Sequence, residues 1–226
     1  MQAATAVGGR PRSGFARWAA LGGAVYVVLF VVGTILLFSG AKGGDDPPSV
    51  VRAWYSDSGH RDRLHLGWVA VGLGLFALLW FVSALRRNVS AGDRDGILTA
   101  IVGLGGGIYV ALALTAVSLE DAIKTMSDDT YHHQVFPELI HAADDAGWVI
   151  HAAGAAGLSA MIIAASYAFM ARGTWPRWAG WVGIVVGVLA LASVAFFPQL
   201  LFLLWILIVS VLMFLRPERY EPVTTM

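Results

Sequence analysis

Residues 178–215 carry no Asp, Glu, Lys, Arg or His, and Arg177 and Arg216 bracket the stretch. One membrane-crossing helix needs only about 20 apolar residues, so this run holds more than one span. Pro198-Gln199 interrupts it near the middle, which predicts two helices, about 178–197 and 200–215, joined by a tight turn. The second is short for a span and would need tilted neighbours or a locally thinned bilayer.

Comparable apolar runs recur at about 16–39, 64–85, 97–119 and 143–170. The chain is 58% hydrophobic and only 13% charged, where soluble domains carry about one quarter charged residues. The first run is longer than the roughly 7–15 apolar residues of a signal peptide and is read as a helix. The expected fold is therefore all-α, a polytopic bundle of six transmembrane helices. Residues 1–15 would form a disordered tail before it and residues 218–226 a polar tail after it. Residues 40–63 and 120–140 form two long polar loops, and a short interfacial helix over 49–55, capped by Ser49, is expected in the first.

Lys and Arg placement sets the orientation. Arg10, Arg12, Arg17, Arg86, Arg87, Arg94, Arg172, Arg177, Arg216 and Arg219 fall on one side, opposed only by Asp93, Asp95, Glu218 and Glu221. The other side holds Lys42, Arg52, Arg61, Arg63 and Lys124 against eleven acids, and all six histidines. Both termini are thus expected to be cytoplasmic, with an acidic outer face. Trp18, Trp80, Trp148, Trp175, Trp178 and Trp181 near the span ends fit an interfacial aromatic belt.

Several chemistries are excluded. The chain has no cysteine, hence no disulfide, thiolate metal site, iron–sulfur cluster or cysteine nucleophile. G-x-S-x-G and Walker motifs are absent, which speaks against a serine hydrolase or a nucleotide-driven pump. A net charge of zero gives nucleic acid nothing to bind. The lipid bilayer is the expected partner. Gly103 and Gly107, the small run 152–157, and Gly180, Gly183 and Gly187 could bring helices together, within one chain or between copies in a homo-oligomer.

The stretch 137–151, P-E-L-I-H-A-A-D-D-A-G-W-V-I-H, is the place where ionisable residues run into a span. At about 100° per residue, His141, Asp144, Trp148 and His151 share one face within about 80°. An ionisable group one turn inside the apolar zone needs a partner or water. Glu120, Asp121 and His65, at neighbouring span ends, are the expected partners of His151. Three readings remain open. Asp144 and Asp145 could simply suit the first turns of a helix. His141, His151 and His65, with a carboxylate, could hold a divalent metal such as Zn²⁺, though no H-x-x-x-H pair is present and the sequence requires no cofactor. Asp144, Asp145 or Glu120 could act as acid on a prenyl or other lipid-like substrate, with His151 moving the proton and Trp148, Trp68, Tyr109 and His65 lining its site. Small membrane terpene cyclases exemplify that chemistry. His132-His133 with Asp128 and Asp129 read as a solvated loop. A small proton-coupled transporter is the remaining class, although deep charges are scarce.

Residues 174–188 (T-W-P-R-W-A-G-W-V-G-I-V-V-G-V) and 203–216 (L-L-W-I-L-I-V-S-V-L-M-F-L-R) resemble small six-helix bacterial membrane proteins grouped as domains of unknown function. The resemblance implies a six-helix plan, and no activity. Together with the Ala/Gly/Val/Arg-rich usage of GC-rich bacteria, it points to a bacterial plasma membrane. On the residues alone, a binding or regulatory role at an outer His/carboxylate vestibule leads, ahead of an enzyme and a transporter.

Overall fold

The computed structural model describes residues 14–43, 46–125, 134–193 and 197–215. They form eight helices: α1 Gly14–Ala20, α2 Gly22–Phe38, α3 Pro48–Ser56, α4 Ser58–Ser90, α5 Ile97–Lys124, α6 Pro137–Ala171, α7 Arg177–Ala190 and α8 Phe197–Leu215. No strand occurs among the described residues. Five segments are long and apolar enough to cross a membrane: Arg17–Phe38, Ser58–Ser90, Ile97–Lys124, Pro137–Ala171 and Pro198–Leu215. The sixth apolar helix, α7, has 14 residues. At 1.5 Å per residue that is about 21 Å, short of a hydrocarbon core of about 30 Å.

The helices outrun the apolar runs seen in the sequence. α4 starts at Ser58, where the Asp57 carboxylate accepts from the His60 backbone N–H at 3.0 Å and caps it. α6 starts at Pro137, a first-turn proline that gives up a donor the helix cannot use there. Pro137–His151 is therefore continuous helix and not a loop feeding one. Asp144 and Asp145 lie beyond its first turn, which holds Glu138, so the helix-dipole reading of that pair loses its basis. Pro198 opens α8 within its first turn and does not break a longer helix. The short outer helix exists as α3, but Pro47 is its N-cap, with no side-chain capping bond, and Ser49 lies inside its first turn.

The packing order closes on itself. α2 packs on α4, α4 on α5, α5 on α6, α6 on α7, α7 on α8, and α8 returns to α2. α3 lies over α4 and α6. Exposed faces are apolar, with Val28, Ile35, Leu73, Phe76, Leu104, Ile108, Val149, Val185, Leu204 and Ile208 all turned outward. Buried between the helices are Leu75, Leu78, Phe81, Leu158, Met161, Ile162, Phe202 and Ile206.

Glycines set the spacing, because helices in lipid gain little by burying apolar surface and must gain by close contact. Gly105 faces Gly157: a Cβ on Gly157 would stand 2.6 Å from the Gly105 carbonyl oxygen, and a Cβ on Gly105 would strike the Gly157 carbonyl. Gly33 meets Gly67 across α2 and α4 in the same way. The G-x-x-x-G spacing of Gly103 and Gly107 does not mark this seam. Gly107 has open space, and Gly103 meets only the Arg86 side chain.

α1 and α2 divide at Leu21 because α8 reaches into the backbone ladder. The Ser210 hydroxyl donates to the Ala20 carbonyl at 2.6 Å and accepts from the Ala24 N–H at 3.0 Å, replacing the direct bond between them. Arg17 Nε donates to the Phe214 carbonyl at 2.8 Å, and its guanidinium lies over the Phe214 ring. α8 thus runs antiparallel to α2.

Two glycine substitutions separate seam from surface. Gly105→Val should destabilise the protein in detergent by about 1–3 kcal/mol, the usual cost of overpacking. Gly107→Val should leave the melting curve unchanged.

Candidate functional site

The Lys124 end of α5 and the neighbouring Pro137 end of α6 hold an ion group around a buried lysine. Lys124, with its side chain 8% exposed, contacts the Glu120 carboxylate at 3.3 Å, one helical turn earlier, and the Asp144 carboxylate across the seam. Glu120 fits because position 147 is glycine: a Cβ there would collide with the Glu120 carboxylate. Low local dielectric makes such charges costly alone and strongly attracted together.

α3 covers this group. Val51 and Tyr55 pack with Leu64, Trp68, Val135 and Ile140 into a small apolar cluster separate from the main core. Burial pushes the Tyr55 phenol up to about 12; the Lys124 charge opposes this, and Asp144 and Glu120 add to it. The phenol therefore stays neutral across the physiological range beside three charged groups. Trp68 is 3% exposed, its ring 5.9 Å from Lys124 Nζ, and its indole N–H has no hydrogen-bond partner.

Beside the ion group a cleft opens. It is lined by Phe30, Thr34, Leu37 and Phe38 of α2, Val71 of α4, Ala116 and Glu120 of α5, Gly147, Trp148 and His151 of α6, and Gln199 of α8. The shortness of α7 goes with it. Gly180, Gly183 and Gly187 of α7 meet Met170, Ser166 and Ile163, the inner part of α6, whereas the cleft lies along the outer part. The His151 ring stacks on Phe30 with centroids 6.1 Å apart and meets the Tyr109 ring edge-on at 5.7 Å. Tyr109 in turn shares a buried 2.6 Å hydrogen bond with Tyr26, which satisfies both hydroxyls inside an apolar span.

Two polar groups in the cleft, the half-buried Thr34 and the buried Gln199, make no hydrogen bond to a described residue, a lack they share with Ser166 Oγ and Thr99 Oγ1 elsewhere among the described residues. Hydroxyls on apolar helices normally return to the carbonyl four residues earlier, as Thr115 does to Ala111 at 2.9 Å and Ser83 to Leu79 at 2.8 Å. Thr34 makes no such bond, and Gln199, only 4% exposed, makes no hydrogen bond to any described residue. Buried polar groups are costly unless paired.

The expected histidine site does not assemble. His65 Nδ1 lies 2.9 Å from the Asp121 carboxylate, His151 sits between aromatic rings, and His141 Nε2 is buried without a partner. Among the described residues no group of three or more His, Asp or Glu side chains could hold a metal ion. Of the residues expected to line a pocket, Trp148 does so, Trp68 lies under α3, Tyr109 is paired with Tyr26, and His65 is on the Asp121 side. Asp145 is exposed. Glu120 and Asp121 are not partners of His151; they hold Lys124 and His65. Residues 128, 129, 132 and 133 lie outside the described residues.

No family model, curated protein or solved structure matches this chain.

Lys124→Met should destabilise the protein by about 1–3 kcal/mol, because it leaves the largely buried Glu120 carboxylate and the half-buried Asp144 carboxylate facing each other without their cation. Adding Glu120→Gln to that variant should restore part of the loss, read from unfolding titrations in mixed micelles.

Proposed function

We propose that this protein is a six-span membrane protein of the bacterial plasma membrane, with both termini cytoplasmic, whose outer cleft binds a lipophilic small molecule. The observation that carries the binding role is the pair of polar groups without a hydrogen-bond partner among the described residues, Thr34 and Gln199, in a cleft whose apolar walls include Phe30, Leu37, Phe38, Val71 and Trp148. Ligand sites combine mostly apolar walls with a few polar groups that fix orientation. The polar groups of the cleft, which also include Glu120 and His151, would take the polar end of the ligand, and the rings its hydrocarbon.

The six-span topology is supported by chain direction. The Arg17–Phe214 hydrogen bond brings the two ends of the described chain to the same end of the bundle. α6 and α8 both run away from the outer end, so the segment through α7 must carry the chain back between them. Arg86, Arg87, Arg172 and Arg177 lie at the cytoplasmic end in this arrangement, in keeping with the positive-inside rule.

A second reading draws on the same cleft. A carboxylate beside aromatic faces could protonate a polyene and stabilise the resulting cation.

The chain has no cysteine, so single cysteines report topology directly. A cysteine at position 58 should react with a membrane-impermeant maleimide in intact cells, and one at position 92 only after permeabilisation. Reaction at both in intact cells would reject the topology. For the cleft, Thr34→Trp should abolish uptake of a fluorescent lipophile by the purified protein while leaving its helical circular dichroism intact. Undiminished uptake would reject the binding role.

A further inference from the structure

We infer that the ligand of this cleft is a lipophilic cation with N–H donors, a primary ammonium on a hydrocarbon chain. The inference rests on the cleft being a binding site and adds the charge and hydrogen-bonding character of the occupant.

Charge gives the first argument. Glu120 and Asp144 are two carboxylates held by one ammonium, Lys124, so the group is formally one negative charge in excess. Of the three, only Glu120 lines the cleft. An anionic head there would face a carboxylate in a partly dry site. A cation would complete a balanced set of two positive and two negative charges.

Hydrogen-bonding gives the second, independent argument. Gln199 is 96% buried by its 4% exposure, faces the cleft and has no partner among the described residues. Thr34 of α2, also in the lining, makes no hydrogen bond to a described residue. A primary ammonium carries three donors and no acceptor. The cleft offers acceptors in the Glu120 carboxylate, the Gln199 amide oxygen and the Thr34 hydroxyl oxygen; the Gln199 amide and Thr34 hydroxyl also donate, so the discrimination against an anion falls to Glu120. Bonds to a charged donor are about twice as strong as neutral ones.

The test uses three probes with one hydrocarbon tail: dodecylammonium, dodecan-1-ol and dodecanoate. Each is titrated calorimetrically into nanodiscs holding the wild-type protein and into nanodiscs holding Thr34→Trp, whose fold is checked by circular dichroism. The difference between the two removes simple partitioning into lipid. Dodecylammonium should bind at least about tenfold more tightly than either other probe, the size of one hydrogen bond to a charged group. Glu120→Gln should shrink that preference to less than about threefold, and Gln199→Leu should weaken dodecylammonium selectively. Equal binding of all three probes, lost in Thr34→Trp, would overturn the cation inference and leave the cleft reading standing. Tightest binding of dodecanoate would overturn it too and make Lys124 the anchor. The absence of any Thr34→Trp-sensitive binding would overturn the cleft reading and this inference together.

Discussion

The close approach of α5 and α6 governs the half of the molecule that holds the ion group and the cleft. Gly105 against Gly157, Gly154 against Tyr109 and Leu112, and Gly147 against Glu120 form one seam along the two helices. A membrane interior gives helices no solvent-driven reason to associate, so contact area has to come from backbone proximity. This seam also decides the chemistry. Glycine at 147 leaves the place that the Glu120 carboxylate takes against α6, and Lys124 joins that carboxylate to Asp144 across the same seam. The ion group follows from the packing, and the cleft lies directly beside it.

A buried cation between two carboxylates is a poor source of stability, since desolvation offsets most of the attraction. Its effect is on specificity. With Lys124 in place, α5 and α6 have one register in which all three charges are met. Tyr55 and Trp68 close the group from the α3 side, and Tyr55 stays a neutral phenol there. Below, the Tyr26–Tyr109 bond and the rings of Phe30, His151 and Phe202 form a packed floor. The cleft lies along the 147–151 part of α6, whereas the α7 glycines meet its 159–170 part.

The helices themselves were legible in the sequence because length and apolarity are local properties. Their ends were less so. Pro137 opens α6, yet the acids after it resemble loop composition, and a first-turn proline is easily taken for a breaker. The same holds for Pro198 in α8. Helical phase put Asp144, Trp148 and His151 on one face of α6, and topology put Glu120 at a neighbouring span end. Lys124 was missed as the centre of the group, although its i,i+4 spacing from Glu120 was visible. Pairing across helices was not legible: nothing in spacing could tell that His65 would meet Asp121, or that His151 would stack on Phe30 instead of joining His65 and His141. Gln199 read as punctuation between two helices and proved to be a buried polar group in the cleft wall. Gly103 and Gly107 matched a spacing pattern, whereas the seam uses Gly105, because the direction each glycine faces depends on the neighbour it meets.

The central claim is that Thr34 and Gln199 are left unbonded for a ligand. A cryo-electron microscopy map of the full chain, purified with native lipid into nanodiscs, addresses it at the atoms concerned. The account predicts elongated non-protein density along Phe30, Leu37 and Trp148, ending within hydrogen-bond distance of Gln199 and Glu120. A collapsed cleft, with the Gln199 amide and the Thr34 hydroxyl bonded to protein groups, would contradict it.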